Sequence, residues 1–195
     1  MLFSRSSAND KIFEIAGRAG YKFVFDKENK QGEFREGGLQ YGGSVFYVAT
    51  QKIKVGLIFD YWKDNFDLYG LFQGNVWTDI TVYKVGIAYK YLTVRSSNNK
   101  IRLSLGNGVD YYIADLIYHI PSQTLHPEQV VHYRNIGFGF LFELRYGIVN
   151  FWTEFSIVRL TGGKKPEYSS VWDNIGVPTF NFHNVTSGIG LSFGL

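Results

Sequence analysis

The sequence predicts an all-β fold, an eight-stranded antiparallel up-and-down barrel, on three observations. The first is composition: aromatic residues make up 18% of the chain, with 22 Gly and only 4 Pro. Aromatic side chains fit a pleated surface, and Gly suits turns and crowded faces. The second is a period-two alternation of large apolar residues with small or charged ones, which gives each set its own face of a strand. The third is the rhythm of the connections, long then short. In a meander this sends four long loops to one end and the short turns, with both termini, to the other. At 195 residues the chain fits one domain, 1–195, in which 1–10 form a short N-terminal segment.

The clearest element is the hairpin 133–160. Its first arm sets Ile136, Phe138, Phe140, Phe142, Leu144 and Tyr146 against Asn135, Gly137, Gly139, Leu141, Glu143 and Arg145. Residues 147–150 reverse the chain, and Phe155 and Ile157 then oppose Glu154 and Ser156. Strand one, 11–25, puts Phe13, Ile15, Tyr21 and Phe23 opposite Glu14, Arg18, Gly20 and Lys22. Strand two, 38–50, carries Leu39, Tyr41, Val45 and Tyr47 against Gln40, Gly42 and Ser44, and its phase blurs near Phe46 and Val48. Strand three, 52–62, alternates Ile53, Val55, Leu57, Phe59 and Tyr61 with Lys54, Gly56 and Asp60. Strand four, 80–94, opposes Tyr83, Val85, Ile87 and Tyr89 to Lys84, Gly86 and Lys90, and strand five, 100–113, opposes Leu105, Val109 and Tyr111 to Arg102, Ser104 and Asp110. The hairpin supplies strands six and seven. Strand eight, 182–195, carries Val185, Ile189, Leu191 and Phe193 against Thr186, Gly188, Gly190 and Ser192. The long loops are read as 26–37, 63–79, 116–132 and 161–181, the third and fourth marked by Pro121, Pro127, Pro166 and Pro178.

Several function classes fall away. A net charge of +3, from 20 basic and 17 acidic residues, is too balanced for a nucleic-acid partner, and no nucleic-acid-binding motif is present. With no Cys there are neither disulfides nor thiolate metal sites. No apolar run approaches the roughly 18 residues of a transmembrane helix. Residues 1–10 turn polar after Leu2 and Phe3, so a secretory leader is not visible and export would require one removed upstream.

Two barrels share this pattern. A lipocalin-like carrier turns the apolar face inward around an apolar ligand, whereas an outer-membrane barrel turns it to lipid and keeps the polar face in the lumen. The polar face here is built mainly of Gly, Ser and Ala with spaced charges, as a narrow eight-stranded lumen filled by its own side chains requires. Charges are nearly absent from the apolar face, where a midplane Lys or Arg would cost roughly 2–4 kcal/mol. Tyr and Trp gather toward strand ends, at Tyr61–Trp62, Tyr89, Tyr91, Tyr111–Tyr112, Tyr146 and Trp152, as at the two interfaces of a membrane. The expectation is therefore a transmembrane barrel.

The strand and loop rhythm, with strands such as 136–146 and 188–195, resembles the small outer-membrane barrels of the OmpA, OmpX and opacity-protein group. The resemblance covers nearly the whole chain as a pattern. It implies a bacterial outer-membrane location, contact with outer-membrane lipid and lipopolysaccharide, and a structural or interaction role: envelope integrity, adhesion or a protein partner at the loops. From the residues themselves, no cofactor or metal is expected. Some eight-stranded outer-membrane barrels are lipid A acyl hydrolases or transferases, which makes such an enzyme the alternative.

With the polar face inward, Glu14, Arg18, Lys54, Lys90, Arg102, Glu143, Arg145 and Glu154 fall in the half nearest the short turns. Lys22, Asp60, Lys84 and Asp110 fall nearer the long loops. Buried charges must be paired, so mixed signs at similar heights predict a ladder of ion pairs that plugs the lumen, whereas a selective pore would carry rings of one sign. An acyl-transfer site would need a nucleophile, a base and an orienting acid. His119, His126 and His132, near Ser122 and Glu128, supply those types in the third long loop. Their spacing matches no standard zinc motif, and His183 followed by Asn184, Val185 and Thr186 lacks the His-x-Ser-Asn pattern of the deacylases. Phe66, Tyr69, Phe72 and Trp77 make the second long loop the candidate partner surface, against a plainer reading in which they pack on other loops or extend strands three and four past the membrane.

Overall fold

A computed structural model of the chain describes residues 12–25, 32–33, 37–68, 76–98, 100–119, 128–161, 163 and 179–195. The elements are β1 (Phe13–Phe25), β2 (Gly32–Glu33), β3 (Gly38–Val48), β4 (Ile53–Leu68), β5 (Val76–Arg95), β6 (Ile101–His119), β7 (Glu128–Tyr146), β8 (Val149–Ile157), β9 (Arg159–Leu160), β10 (Phe180–Asn181) and β11 (His183–Gly194). Eight of them hydrogen-bond side by side in the order β4, β3, β1, β11, β8, β7, β6, β5, and β5 pairs back onto β4. The barrel is closed, with every strand antiparallel to its neighbours.

Local chemistry sets the short turns. Thr50 Oγ1 accepts from the Lys52 and Ile53 amides at 3.2 and 3.0 Å. Asn98 Oδ1 accepts from the Lys100 amide at 3.1 Å, and Ser96 Oγ from the Ile101 amide at 3.1 Å. Such side-chain bonds stand in for the ladder where it ends. Between β7 and β8 the reversal needs a left-handed residue, and Gly147 supplies it at φ 60°. These turns lie at the end where β1 begins and β11 finishes.

The large apolar side chains of the ring face outward. Ile87 is 64% exposed, and Phe138, Phe140 and Phe142 lie on the same surface. Glu14, Lys84, Lys90, Asp110, Glu143 and Glu154 are buried inside. An exterior of this kind has no solvent but hydrocarbon, and it rules out the carrier arrangement, which needs the reverse. The phase that blurred in strand two resolves with Phe46 pointing inward and fully buried.

Three expectations need correction. Strands continue through much of what the sequence pattern assigns to the second and third loops: β4 runs to Leu68, β5 starts at Val76, β6 ends at His119 and β7 starts at Glu128. The reason lies in the inner row, which turns apolar there. Tyr112, Ala114, Leu116, Tyr118, Val131 and Tyr133 are buried, and with Trp62, Ile80, Phe180 and Phe182 they form a core inside the long-loop end. That core holds the sheet together beyond the lipid-facing zone. Trp62, Tyr112 and Trp152 are also not interfacial: each falls on the inward phase and is buried, whereas Tyr61, Tyr89, Tyr91, Tyr111 and Tyr146 face outward. Finally, Arg18 and Glu154 sit with Asp60 and Lys84 rather than with the charges nearest the short turns.

Candidate functional site

The lumen holds its charges in two layers. In the middle layer, Arg18 of β1, Asp60 of β4 and Lys84 of β5 come from one strand register, in which Arg18 stands opposite Gly42, Gly42 opposite Asp60, and Asp60 opposite Lys84. Arg18 Nε donates to Asp60 Oδ1 at 2.8 Å, and its Nη2 engages Asp60 Oδ2 and, at 3.3 Å, Glu154 Oε2. Lys84 Nζ lies 2.8 Å from Asp60 Oδ2, contacts Glu154 Oε1, and reaches toward Asp110 Oδ2 at 3.9 Å. Ser156 Oγ donates to Glu154 Oε1 at 3.1 Å, and the Arg18 guanidinium lies 4.5 Å above the Trp152 ring. Arg18, Asp60, Lys84 and Glu154 therefore each meet more than one opposite or π partner, which a buried ion needs to offset its lost hydration.

Glycine makes this layer fit. A Cβ on Gly42 would stand 2.0 Å from Asp60 Oδ1, and one on Gly86 would stand 1.9 Å from Asp110 Oδ1. The carboxylates occupy the space that a side chain at either position would take.

The second layer lies toward the short turns. Lys54 and Lys90 face each other across β4 and β5, and each has its own acid: Lys54 Nζ is 2.7 Å from Glu14 Oε2, and Lys90 Nζ is 2.6 Å from Glu143 Oε2. Arg145 also engages Glu14 Oε2, while its Nη2 donates to Ser192 O at 2.9 Å and its Nε to Gly147 O at 2.7 Å. Lys90 Nζ sits 4.1 Å over the Phe46 ring. Between the layers, a space of about 10 Å³ lined by Arg18, Ser44, Asn150 and Trp152 has room for about one water. Arg102, grouped with these charges from the sequence, makes no ion pair among the described residues.

At the long-loop end, Trp77 stacks on the His119 ring at 5.1 Å between centroids and 13° between planes. His119 Nε2 lies 3.1 Å from Asp79 Oδ2 and its Nδ1 3.4 Å from Glu128 Oε1, and His132 Nδ1 lies 2.7 Å from Asp115 Oδ1. These pairs tie β5, β6 and β7 together across their outward faces. His183 Nδ1 accepts the Val158 amide at 3.3 Å. Among the described residues, no histidine is hydrogen-bonded to a hydroxyl and no group of three His, Cys, Asp or Glu is placed to hold a metal. Tyr69, Phe72, Ser122 and His126 lie outside the described residues. Phe66 is within β4, opposite Thr78.

Solved structures share this architecture. The chain is similar to Neisserial surface protein A, at 13% identity and a TM-score of 0.57, over 94% of this chain and 97% of that one. It is similar to Ail, the attachment invasion locus protein of Yersinia pestis, in a complex with the heparin analogue sucrose octasulfate, at 9% identity and a TM-score of 0.59, over 93% and 97%. It is similar to the outer membrane protein OprG of Pseudomonas aeruginosa, at 14% identity and a TM-score of 0.53, over 95% and 98%. The fold is that of a small outer-membrane β-barrel. No sequence-family model matches the chain, and no curated protein sequence matches it significantly.

The outer-membrane barrel fold also explains two groups whose surroundings the sequence does not identify. Lys22 is buried above the middle layer, its Nζ 5.4 Å from the Trp62 ring and 5.8 Å from that of Phe182. Its inward phase is legible, but its aromatic partners come from β4 and from Phe182 between β10 and β11, which no local pattern brings together. The apolar inner core was signalled by Tyr112, Ala114, Leu116 and Tyr118, which continue the inward phase of Asp110 without a break.

Proposed function

We propose that this chain is a bacterial outer-membrane barrel with a structural or interaction role, its lumen closed by ion pairs and its partner contacts made at the long-loop end. The observation that carries this reading is the pairing of an apolar exterior with an interior crossed by two layers of buried, mutually paired charges. Such an interior supports a rigid platform better than a conduit. Lipid and lipopolysaccharide are the expected surroundings of the exterior, and envelope integrity, adhesion or protein binding the expected tasks of the platform. The extension of β4–β7 beyond the lipid zone supports this, since it carries Trp77, His119 and the connecting loops away from the membrane on a packed core.

Two measurements test the reading. The folded chain should partition into detergent and migrate differently on gels before and after heating. In planar bilayers the intact barrel should give no large, stable single-channel steps; regular steps of that kind would refute the closed lumen. For the surface role, Ail's complex with a sulfated heparin analogue motivates a binding screen of the long-loop end against sulfated polysaccharides and host proteins.

A further inference from the structure

Three arginines stand in one row across the short-turn mouth of the barrel. Arg95 of β5 lies opposite Arg102 of β6, and Arg102 lies opposite Arg145 of β7. Like charges directly opposed on neighbouring strands repel each other. Of the charges acting on Arg102, Arg145 and Arg95 repel and Glu14 attracts, but Glu14 is already bound to Lys54 and Arg145. Glu143, the other acid of this layer, is bound to Lys90. Arg102 is left partly buried, with no ion pair or hydrogen bond among the described residues.

The row exists because of a backbone irregularity. Lys84 and Lys90 place the even-numbered residues of β5 in the lumen, and Leu92 still pairs with inward Ser104. The register then slips, so that Val94 pairs with Leu103 and Arg95 with Arg102. Val94 is consequently 54% exposed on the outer face, and Arg95 turns to the side of Arg102. A bulge re-aims a side chain in this way, and here it adds a cation to a mouth already short of acids.

We propose that this row binds an anionic phosphate group at the short-turn mouth, with Arg102 as the principal ligand and Arg95 beside it. A guanidinium presents a planar fork of donors that matches two phosphate oxygens at once. Neighbouring strands are about 4.8 Å apart, so two adjacent forks reach one phosphate. Arg145, whose donors go to Gly147 O, Glu14 and Ser192 O, supplies charge rather than a further bond. The phosphate comes either from a free phosphate compound or from a lipid headgroup.

The test is calorimetric titration of inorganic phosphate into the full, folded chain in a nonionic detergent, at constant ionic strength held with chloride. Saturable one-site binding is expected, weakened at least tenfold by Arg102→Gln and unchanged by Lys100→Gln on the adjoining turn. Arg95→Gln, which removes the neighbouring fork, should weaken binding less than Arg102→Gln does. Heat-modifiable migration reports that each variant is folded. Absence of saturable binding, or equal affinity in wild type and Arg102→Gln, overturns the proposal. Repeating the titration in nanodiscs separates the sources: weaker phosphate binding in phosphatidylglycerol than in phosphatidylcholine identifies the headgroup as competitor, and equal binding identifies free phosphate.

Discussion

Glu143 and Phe140 share one strand and point to opposite sides of it, and replacing each tests which side is which. Glu143 is the acid of Lys90, 2.6 Å away in a buried position. Glu143→Leu leaves that ammonium without its partner and should destabilise the barrel by about 3–5 kcal/mol, the cost of stranding a buried charge. Phe140→Leu changes a side chain that lipid surrounds, and should stay within about 0.5 kcal/mol, as surface substitutions do. Urea unfolding in lipid vesicles, followed by Trp fluorescence, measures both; equal sensitivity would mean the faces are reversed. Beyond the lipid zone, Asp64 of β4 behaves differently. Its Oδ1 accepts the Asn65 amide at 2.8 Å, yet burial pushes its carboxyl up to about 6 from an ordinary 3.8. A carboxyl that holds its proton more tightly when folded costs stability as it ionises, so stability should fall as pH rises from 3.8 to about 6. Asp64→Asn should flatten that part of the profile in urea titrations across the same pH range.

At the scale of the element, the glycines on the inward face set how many charges a layer can hold. Gly42→Val would drive a side chain into Asp60 Oδ1 and the Phe59 carbonyl, 2.0 and 2.3 Å from the added Cβ, with backbone on one side and a packed carboxylate on the other. Overpacking of this kind costs at least about 1–3 kcal/mol, and the expected result is a barrel that loses heat-modifiable migration. Valine at Gly17, whose Cβ would meet nothing within 4 Å, should leave migration unchanged. Much of this was readable from the sequence. The alternation of Glu14, Arg18 and Lys22 with Phe13, Ile15 and Tyr21 assigns both faces of β1 without any structure. The partner of each charge was not readable, because Arg18 meets Asp60 and Glu154 across a closed ring, from strands 42 positions away and more. Nor was the true length of β6 and β7. A strand whose inner row changes from Asp110 to Tyr112, Leu116 and Tyr118 resembles a strand that has ended when polarity on one face is the only guide.

For the whole molecule, the two ends follow opposite rules. Within the lipid zone the outside is apolar and the inside charged; at the long-loop end the inside is apolar, and Asp79, Asp115, His119 and His132 face outward. The level at which the sense inverts marks the membrane surface, just above Tyr61, Tyr83 and Tyr111. A nitroxide label at position 87 should therefore be accessible to oxygen and shielded from a water-soluble nickel chelate, and a label at position 115 the reverse. The same closed ring has a kinetic side. Its seam pairs β1 with β11, from Glu14 with Gly194 to Phe25 with His183, joining the two ends of the chain. Contacts so far apart in sequence carry the largest loop-closure cost, and the hairpins between them form from neighbours. The seam should thus be the last joint to zip, and until it does, one wall of charged side chains has no opposite wall to meet. Insertion into a bilayer and closure of that seam are then one event, and the rate at which the barrel assembles is the rate at which its first strand finds its last.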